Sequence, residues 1–181
     1  MENGTLTTAS NTIALGRLGE ELASEYLDAK GYTLVAANFT VPVGRNLRGA
    51  LVQAEIDVVA YDGATLCFIE VKTRTSDWFA SPEANVDLRK QRQVARAARA
   101  YRRLFGLQDA KYRFDVVTVT VSPKGIGGSE HVDVDVEVDT AAEADATAQS
   151  SPLRIELFKN FWRDDKFHRR TAGVPARPWE P

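Results

Sequence analysis

The sequence predicts one globular core that mixes α-helices and β-strands. Two long segments, Ser10–Lys30 and Val86–Leu107, repeat apolar residues at steps of three and four, as helices that pack on a core do. Between them, two strand-like segments flank Asp62-Gly63-Ala64, which is typical of a hairpin turn. A length of 181 residues and an apolar share of 44% suit a single domain with a sizeable core.

The first part of the chain is predicted as a helix, a strand and a loop. The apolar stripe of the helix consists of Leu15, Leu18, Leu22, Tyr26 and Ala29. Gly31 favours the end of that helix. Tyr32–Thr40 is predicted as a strand, and Val41–Ala54, which contains a proline and two glycines, as a flexible loop.

The remaining segments predict further strands and a second helix. The strands are Gln53–Tyr61, Thr65–Arg74, Tyr112–Val121 and the alternating segment His131–Val138. The second helix, Val86–Leu107, directs Val94, Ala98, Tyr101 and Phe105 toward the core. Leu153–Phe158 is a candidate to return to the sheet, and Phe161–Phe167 is a candidate short helix.

Charge is distributed unevenly along the chain. The net charge is −2, but Glu130–Asp145 contains seven acidic residues and no Lys or Arg, so the remainder carries +5. That remainder is suited to attract polyanions. The first eleven residues contain no apolar signal core, and no apolar run reaches the roughly 18 residues of a membrane span. With Cys67 as the single cysteine, these features predict a reduced, cytoplasmic protein that does not bind membranes.

A pair of carboxylates in the predicted hairpin is the strongest sign of chemistry. With the turn centred between Gly63 and Ala64, Asp57 faces Glu70, and Glu55 faces Lys72. Carboxylates this close repel each other unless a proton or cation lies between them. A divalent cation would suit phosphate-ester chemistry, with Lys72 orienting a water or offsetting charge. The alternative is an ordinary solvent-facing hairpin with a Glu55–Lys72 pair.

Two helices carry further candidate residues. Glu20 lies on the first helix beside Gly16, Ala23 and Ser24, whose small size would let this edge approach the sheet; a solvated charge is the alternative. One face of the second helix carries a basic stripe consisting of Arg89, Arg92, Arg96, Arg99 and Arg103. A phosphate backbone would compensate these charges, although a solvated basic face is equally open. Lys90 and Gln91 lie off the stripe and could point toward the site.

Several blocks of the sequence resemble a known family. They are GRLGEELASEYLDAKGY, AEIDVVAYDG, LCFIEVKTR, FASPEANVDLRKQRQVARAARAY and RFDVVTV. They resemble the YraN-like bacterial proteins of the restriction-endonuclease-like PD-(D/E)XK superfamily, which are similar to archaeal Holliday-junction resolvases. The resemblance implies an α/β fold with a restriction-endonuclease-like core, in which helices flank a mixed β-sheet. It also implies Mg²⁺ or Mn²⁺ as cofactor and a DNA phosphodiester as substrate.

The resemblance assigns roles to the candidate site residues of the hairpin and the two helices. The catalytic set is Glu20, Asp57, Glu70 and Lys72, of which the three carboxylates would bind the metal, and Lys90 and Gln91 match an auxiliary position. The basic stripe, with Arg45 and Arg48, would contact DNA. The expected parts of the chain are a flexible N-terminus (1–12), a nuclease-like core (13–121), an acidic insert and linker (122–152), a C-terminal element packing on the core (153–168) and a disordered tail (169–181).

The sequence is compatible with three functions. The first is a metal-dependent DNA endonuclease or resolvase-like enzyme. The second is a non-catalytic DNA-binding module on the same fold, for branched or single-stranded DNA. The third is a protein-interaction role through the acidic insert. Symmetric cutting of a junction would need a homodimer, and the sequence contains no heptad pattern that predicts one.

Overall fold

The computed structural model describes residues 4–75, 86–121 and 153–167, and within these ranges the side chains from Thr12 onward except that of Lys166. Within these ranges the chain forms two α-helices and one five-stranded sheet. In chain order the elements are α1 (Gly4–Ala29), β1 (Thr33–Arg45), β2 (Leu51–Asp62), β3 (Thr65–Arg74), α2 (Leu88–Leu104), β4 (Tyr112–Val121), β5 (Leu153–Trp162) and a 3₁₀ turn (Asp165–Phe167). The predicted strand His131–Val138 and the acidic insert lie outside the described residues.

The sheet is mixed, and its strands lie in the order β1-β2-β3-β4-β5. Neighbouring strands are antiparallel except β3 and β4, which are parallel and are connected through α2. A parallel pair needs such a crossover, because a tight hairpin can join only antiparallel strands. The α/β fold with a mixed sheet flanked by helices is therefore confirmed, and it is consistent with a restriction-endonuclease-like core.

The core consists of two layers, one on each face of the sheet. On one face, α2 contributes Val94, Ala98 and Tyr101, which pack against Phe68 and Phe114 of the central strands. The other layer lies under α1 and is lined by Ala23, Leu27, Val58, Ile69 and Val117. Burial on both faces explains why β3 and β4 read as nearly continuous apolar runs.

The helices differ from their predicted faces at three residues, of which Ala29, at the end of the predicted α1 stripe, is exposed. Leu18 was predicted in the apolar stripe of α1 but is 45% exposed, because α1 contacts the sheet through the line of Gly19, Ala23 and Leu27. Phe105 was predicted to face the core but is 53% exposed, since α2 ends at Leu104. The predicted stop at Gly31 is confirmed: its φ is +83°, and the backbone closes through Tyr32 N–H donating to the Leu27 carbonyl.

The prediction of a flexible loop at Val41–Ala54 is wrong. β1 continues to Arg45 and β2 begins at Leu51, so the two strands form one long hairpin. Pro42 is compatible with a strand here, because β1 is the edge of the sheet and an edge strand need not donate every N–H group. β5 also extends farther than predicted, to Trp162, which leaves only the 3₁₀ turn of the candidate helix Phe161–Phe167.

Candidate active site

The register of the β2–β3 hairpin brings Asp57 and Glu70 to the same end of the sheet. Backbone pairs run from Asp62–Thr65 to Val58–Ile69, as the two-residue turn predicts. One step farther, the Asp57 side chain replaces a backbone acceptor: the Val71 N–H donates to Asp57 Oδ2 at 2.8 Å. The β2–β3 ladder therefore ends at Val58–Ile69, and neither of the predicted pairs, Asp57–Glu70 and Glu55–Lys72, is part of it. On the other side of β2, Glu55 pairs with Thr40 of β1.

The strand β2 is irregular at Asp57. Ile56 packs in the layer under α2, whereas Val58 packs in the layer under α1. Residues two apart in a regular strand share a face, so β2 changes face between these two positions. On the neighbouring strand, Asn38 lies between the paired residues Ala37 and Phe39 with φ +51°, a conformation that Asn tolerates better than most residues.

Two lysines converge on the two carboxylates. Lys72 Nζ lies 2.9 Å from Glu70 Oε1, and Lys90 Nζ lies 3.0 Å from the same oxygen. Lys90 Nζ is also 3.5 Å from Asp57 Oδ1. Asp57 is buried and Glu70 is fully buried. We call Asp57, Glu70, Lys72 and Lys90 the carboxylate cluster.

The environment of the cluster alters its proton affinities. Burial raises the pKa of Glu70 above its ordinary value, and the charge of Asp57 raises it further, while Lys90 and Lys72 offset only part of this change. Burial alone would lower the pKa of Lys90, but the charges of Asp57 and Glu70 raise it overall. Glu70 and Lys90 therefore both hold their protons more tightly than they would in water.

The start of α2 positions Lys90. Asp87 caps the helix by accepting from the Lys90 backbone N–H at 2.7 Å, which fixes Lys90 in the first turn. The neighbouring Gln91 is buried, and its side-chain amide donates to the Val86 carbonyl at 2.9 Å, holding the segment that enters the helix. Of the two predicted auxiliary residues, Lys90 contacts both carboxylates.

Glu20 lies next to the cluster, on the α1 side of the sheet. It lines a cavity of about 230 Å³ together with Gly16, Val71, Lys72 and Thr73. The close approach of α1 depends on Gly19 rather than on Gly16: a Cβ atom at Gly19 would lie 1.8 Å from Thr73 Oγ1, whereas a Cβ at Gly16 would meet nothing within 4 Å. The close contact at Gly19 was not predicted from the sequence, although a glycine directly before Glu20 indicates that α1 can approach the sheet there.

The resemblance implies Mg²⁺ or Mn²⁺, and the oxygen atoms of Asp57 and Glu70 suit such an ion. Glu70 is buried; its Oε1 contacts Lys72 and Lys90, whereas its Oε2 has no hydrogen-bond partner among the described residues. An oxygen with open lone pairs beside a second carboxylate is what a hard divalent cation binds. Asp57 and Glu70 therefore fit such an ion as a pair. Across the described residues, no three His, Cys, Asp or Glu side chains are close enough together to hold a metal.

The basic stripe of α2 faces outward as predicted. Arg89, Arg92, Arg96 and Arg103 are exposed and Arg99 is partly exposed. Arg96 donates to the Val43 carbonyl of β1, and the Arg92 guanidinium lies 5.7 Å from the centre of the Phe167 ring. Arg45 and Arg48 are exposed near the turn between β1 and β2. None of the helices described here is long and apolar enough to cross a membrane.

The chain is similar to many bacterial proteins of one family. The protein from Desulfosudis oleivorans is 41% identical over 104 residues, which cover 58% of this chain and 76% of the relative. The protein from Chlorobium chlorochromatii is 42% identical over 112 residues, covering 62% and 78%. The protein from Geobacter sulfurreducens is 38% identical over 118 residues, covering 65% and 84%. Each is named a UPF0102 protein.

The matching family model spans residues 19–119. This range contains Glu20 and the whole carboxylate cluster, together with the strands and the helix that position them, and leaves out β5. The shared region is thus the part of the fold that builds the candidate site. By this match over more than half of its length, the chain belongs to Uncharacterised protein family UPF0102.

Proposed function

We propose that this chain is a metal-dependent DNA endonuclease or resolvase-like enzyme that hydrolyses phosphodiester bonds. The observation that carries the proposal is Glu70, a fully buried carboxylate held beside Asp57 and between two lysines. Buried ion clusters stabilise a fold weakly, since well-packed apolar residues often do as well or better. A buried carboxylate with a raised pKa, at a sheet end next to a cavity, favours a working site.

Each residue of the site has a proposed role. Asp57 and Glu70 would hold Mg²⁺ or Mn²⁺, and Glu20, which forms no three-ligand group with them, would contribute through water from the adjacent cavity. The ion would stabilise charge on the phosphate and lower the pKa of water. Lys72 would orient the attacking water, and Lys90 would neutralise the carboxylates and the approaching phosphate. The basic stripe, with Arg45 and Arg48, would contact the DNA backbone.

A non-catalytic DNA-binding module is the second candidate. It is favoured by one observation: two carboxylates and two ammonium groups already balance formally within the cluster. In that case the cluster would be structural and the basic stripe would carry the function. A cytoplasmic location is part of the proposal for either function.

Cleavage of labelled DNA in Mg²⁺ or Mn²⁺ distinguishes the two functions. The substrates are linear, flapped, single-stranded and four-way-junction DNA, and the variants are Asp57→Ala and the nearly isosteric Glu70→Gln. Glu156→Gln is the matched control, because Glu156 lies on β5 and pairs with Arg154. We expect metal-dependent cleavage by the wild type and the control, and a loss of at least 100-fold in both site variants.

The opposite result would support the binding module. Such a protein binds the same DNA without cutting it, and Asp57→Ala leaves binding unchanged or tighter, because a negative charge has been removed. Metal-dependent cutting that survives in Asp57→Ala would instead exclude the carboxylate cluster as the active site.

A further inference from the structure

The turn between β1 and β2 is an ordered structure. Asn46 Oδ1 accepts from the N–H groups of Arg48 and Ala50 at 2.9 and 3.0 Å, and its own N–H donates to the Ala50 carbonyl. Gly49 completes the turn with φ +77° and donates to the Asn46 carbonyl. Arg45 Nη1 donates across the turn to the Gly49 carbonyl at 2.6 Å. We call residues 45–50 the hairpin tip.

The hairpin tip presents an apolar side chain between two basic ones. Leu47 is fully exposed, and Arg45 and Arg48 on either side of it are exposed as well. A single exposed leucine is ordinary on a protein surface. Here, however, a network of backbone and side-chain hydrogen bonds holds the turn that displays it, so little conformational entropy would be lost when Leu47 binds a partner.

The hairpin tip is also fixed relative to the rest of the molecule. Val43, two residues before the tip, packs against the core layer under α2. Arg96 of the basic stripe donates to the Val43 carbonyl and ties the hairpin to α2. The two basic regions are therefore parts of one rigid surface.

Charge complementarity identifies the class of partner. Arg45 and Arg48 join the exposed arginines of α2 to make an extended basic surface, which suits a polyanionic backbone. Proteins that bend or open DNA often insert one apolar side chain between base steps while flanking arginines hold the phosphates. The hairpin tip combines these two features.

We propose that the hairpin tip is a DNA wedge: Leu47 inserts at a weakly stacked base step, and Arg45 and Arg48 contact the phosphates beside it. This inference rests on the proposed function and gives it a preference for distorted or branched DNA. Six strand steps separate Leu51 from Asp57, which is roughly 20 Å along β2. The hairpin tip lies beyond Leu51, so at 3.4 Å per base step the wedge would act at least about six base pairs from the cluster.

The test uses the full chain and DNA carrying 2-aminopurine, whose fluorescence rises when it leaves the base stack. Duplex and four-way-junction DNA are titrated in EDTA with the wild type, Leu47→Ala, Arg48→Ala and the control Leu104→Ala. Leu104 is an exposed leucine at the end of α2, away from the hairpin tip. Because both leucines are exposed, neither substitution should affect folding, and circular dichroism checks this.

We expect wild type and Leu104→Ala to bind junction DNA with a rise in fluorescence. Leu47→Ala should lose the rise and bind about tenfold more weakly, with an unchanged salt dependence. Arg48→Ala should reduce the slope of log affinity against log salt by about one.

Three results would overturn the wedge, and the first of them separates it from the proposed function. Junction binding with no fluorescence change, equal in wild type and Leu47→Ala, rejects the wedge but leaves DNA binding intact. Absence of any DNA binding rejects both. Binding to phosphatidylserine vesicles that requires Leu47, with no such requirement on DNA, would assign the tip to a membrane surface instead.

Discussion

At the scale of single residues, Glu70 shows most clearly that this site is not built for stability. A buried carboxylate usually accepts several hydrogen bonds that compensate for lost hydration. Glu70 receives two ammonium groups at one oxygen instead, and it stands beside a second acid. Burial and the charge of Asp57 disfavour its charged form and raise its pKa.

This raised pKa predicts how stability depends on pH in the absence of metal. The folded protein retains a proton on Glu70 at pH values where the unfolded chain has already lost it. The free energy of unfolding therefore falls as pH rises from the unfolded pKa of about 4.3 through the folded pKa, by about 1.4 kcal/mol for each unit separating the two values. Glu70→Gln removes this contribution.

Urea denaturation in EDTA across this pH range measures the effect. We expect the stability of wild type minus that of Glu70→Gln to decrease with rising pH and then level off. The prediction concerns only how this stability difference changes with pH. Its absolute value also includes the loss of an ion-pair partner of Lys72 and Lys90. A difference that increases with pH would mean that the Glu70 pKa is lowered by the fold, contrary to the geometry.

A second buried charged group lies at the other end of β3 and β4. Arg113 Nε contacts Asp115 at 2.8 Å, and its Nη2 donates to Tyr32 and Asp62. Asp115 also accepts from the Asn160 N–H at 2.7 Å. This group is satisfied by hydrogen bonds, unlike Glu70, and its role is to join β4, β5 and the β2–β3 turn.

At the scale of elements, the contact between α1 and β3 decides where Glu20 lies. Gly19→Ala would place a methyl group 1.8 Å from Thr73 Oγ1 and 2.8 Å from Thr73 Cγ2. Thr73 is β-branched and stiff, so α1 must shift away from the sheet. We expect a loss of about 1–3 kcal/mol in the free energy of unfolding, measured by urea denaturation.

Gly16→Ala is the matched control for this contact. It lies on the same helix with open space around its Cα, so an added methyl should stabilise α1 by about 0.5–1 kcal/mol. The double variant Gly19→Ala/Thr73→Ala should recover part of the loss, because two of the clashing atoms are gone. Equal effects of the two glycine substitutions would contradict a close helix–sheet contact at Gly19.

The elements also show what sequence can and cannot predict here. The two-residue turn at Gly63-Ala64 determines the β2–β3 register, and with it the proximity of Asp57 and Glu70. The strand character of Val41–Arg45 was missed because Pro42 and Gly44 suggest a loop, and only the edge position of β1 makes them compatible with a strand. The contact of Lys90 with both acids depends on how α2 meets the sheet, which no local pattern specifies.

At the scale of the whole molecule, the sheet is held between two apolar layers, and its central strands are shielded on both faces. β3 lies between β2 and β4 and is the middle strand of the five in the described chain. Edge elements and turns open more easily than such a strand. The middle of β3 should therefore become accessible only when the sheet as a whole comes apart.

Cys67 provides a probe of that opening. It is fully buried in β3, and burial, reinforced by the charge of Asp115, raises its thiol pKa to about 12. Since the thiolate is the reactive form, the native thiol should be inert toward a disulfide reagent such as dithiobis-nitrobenzoate at pH 8. We expect the extent of labelling at increasing urea concentrations to follow the global unfolding transition seen by circular dichroism.

The urea dependence of Cys67 labelling, compared with that of global unfolding, distinguishes opening of the whole sheet from local opening. If the sheet opens as one unit, the free energy of labelling has the same urea dependence as global unfolding, because both expose the same surface. A labelling reaction with a smaller urea dependence would mean that β2 and β3 separate locally while the rest of the core persists. Such local opening would lie next to Asp57 and Glu70, and it would make the carboxylate cluster a movable site rather than one fixed by the cooperative core.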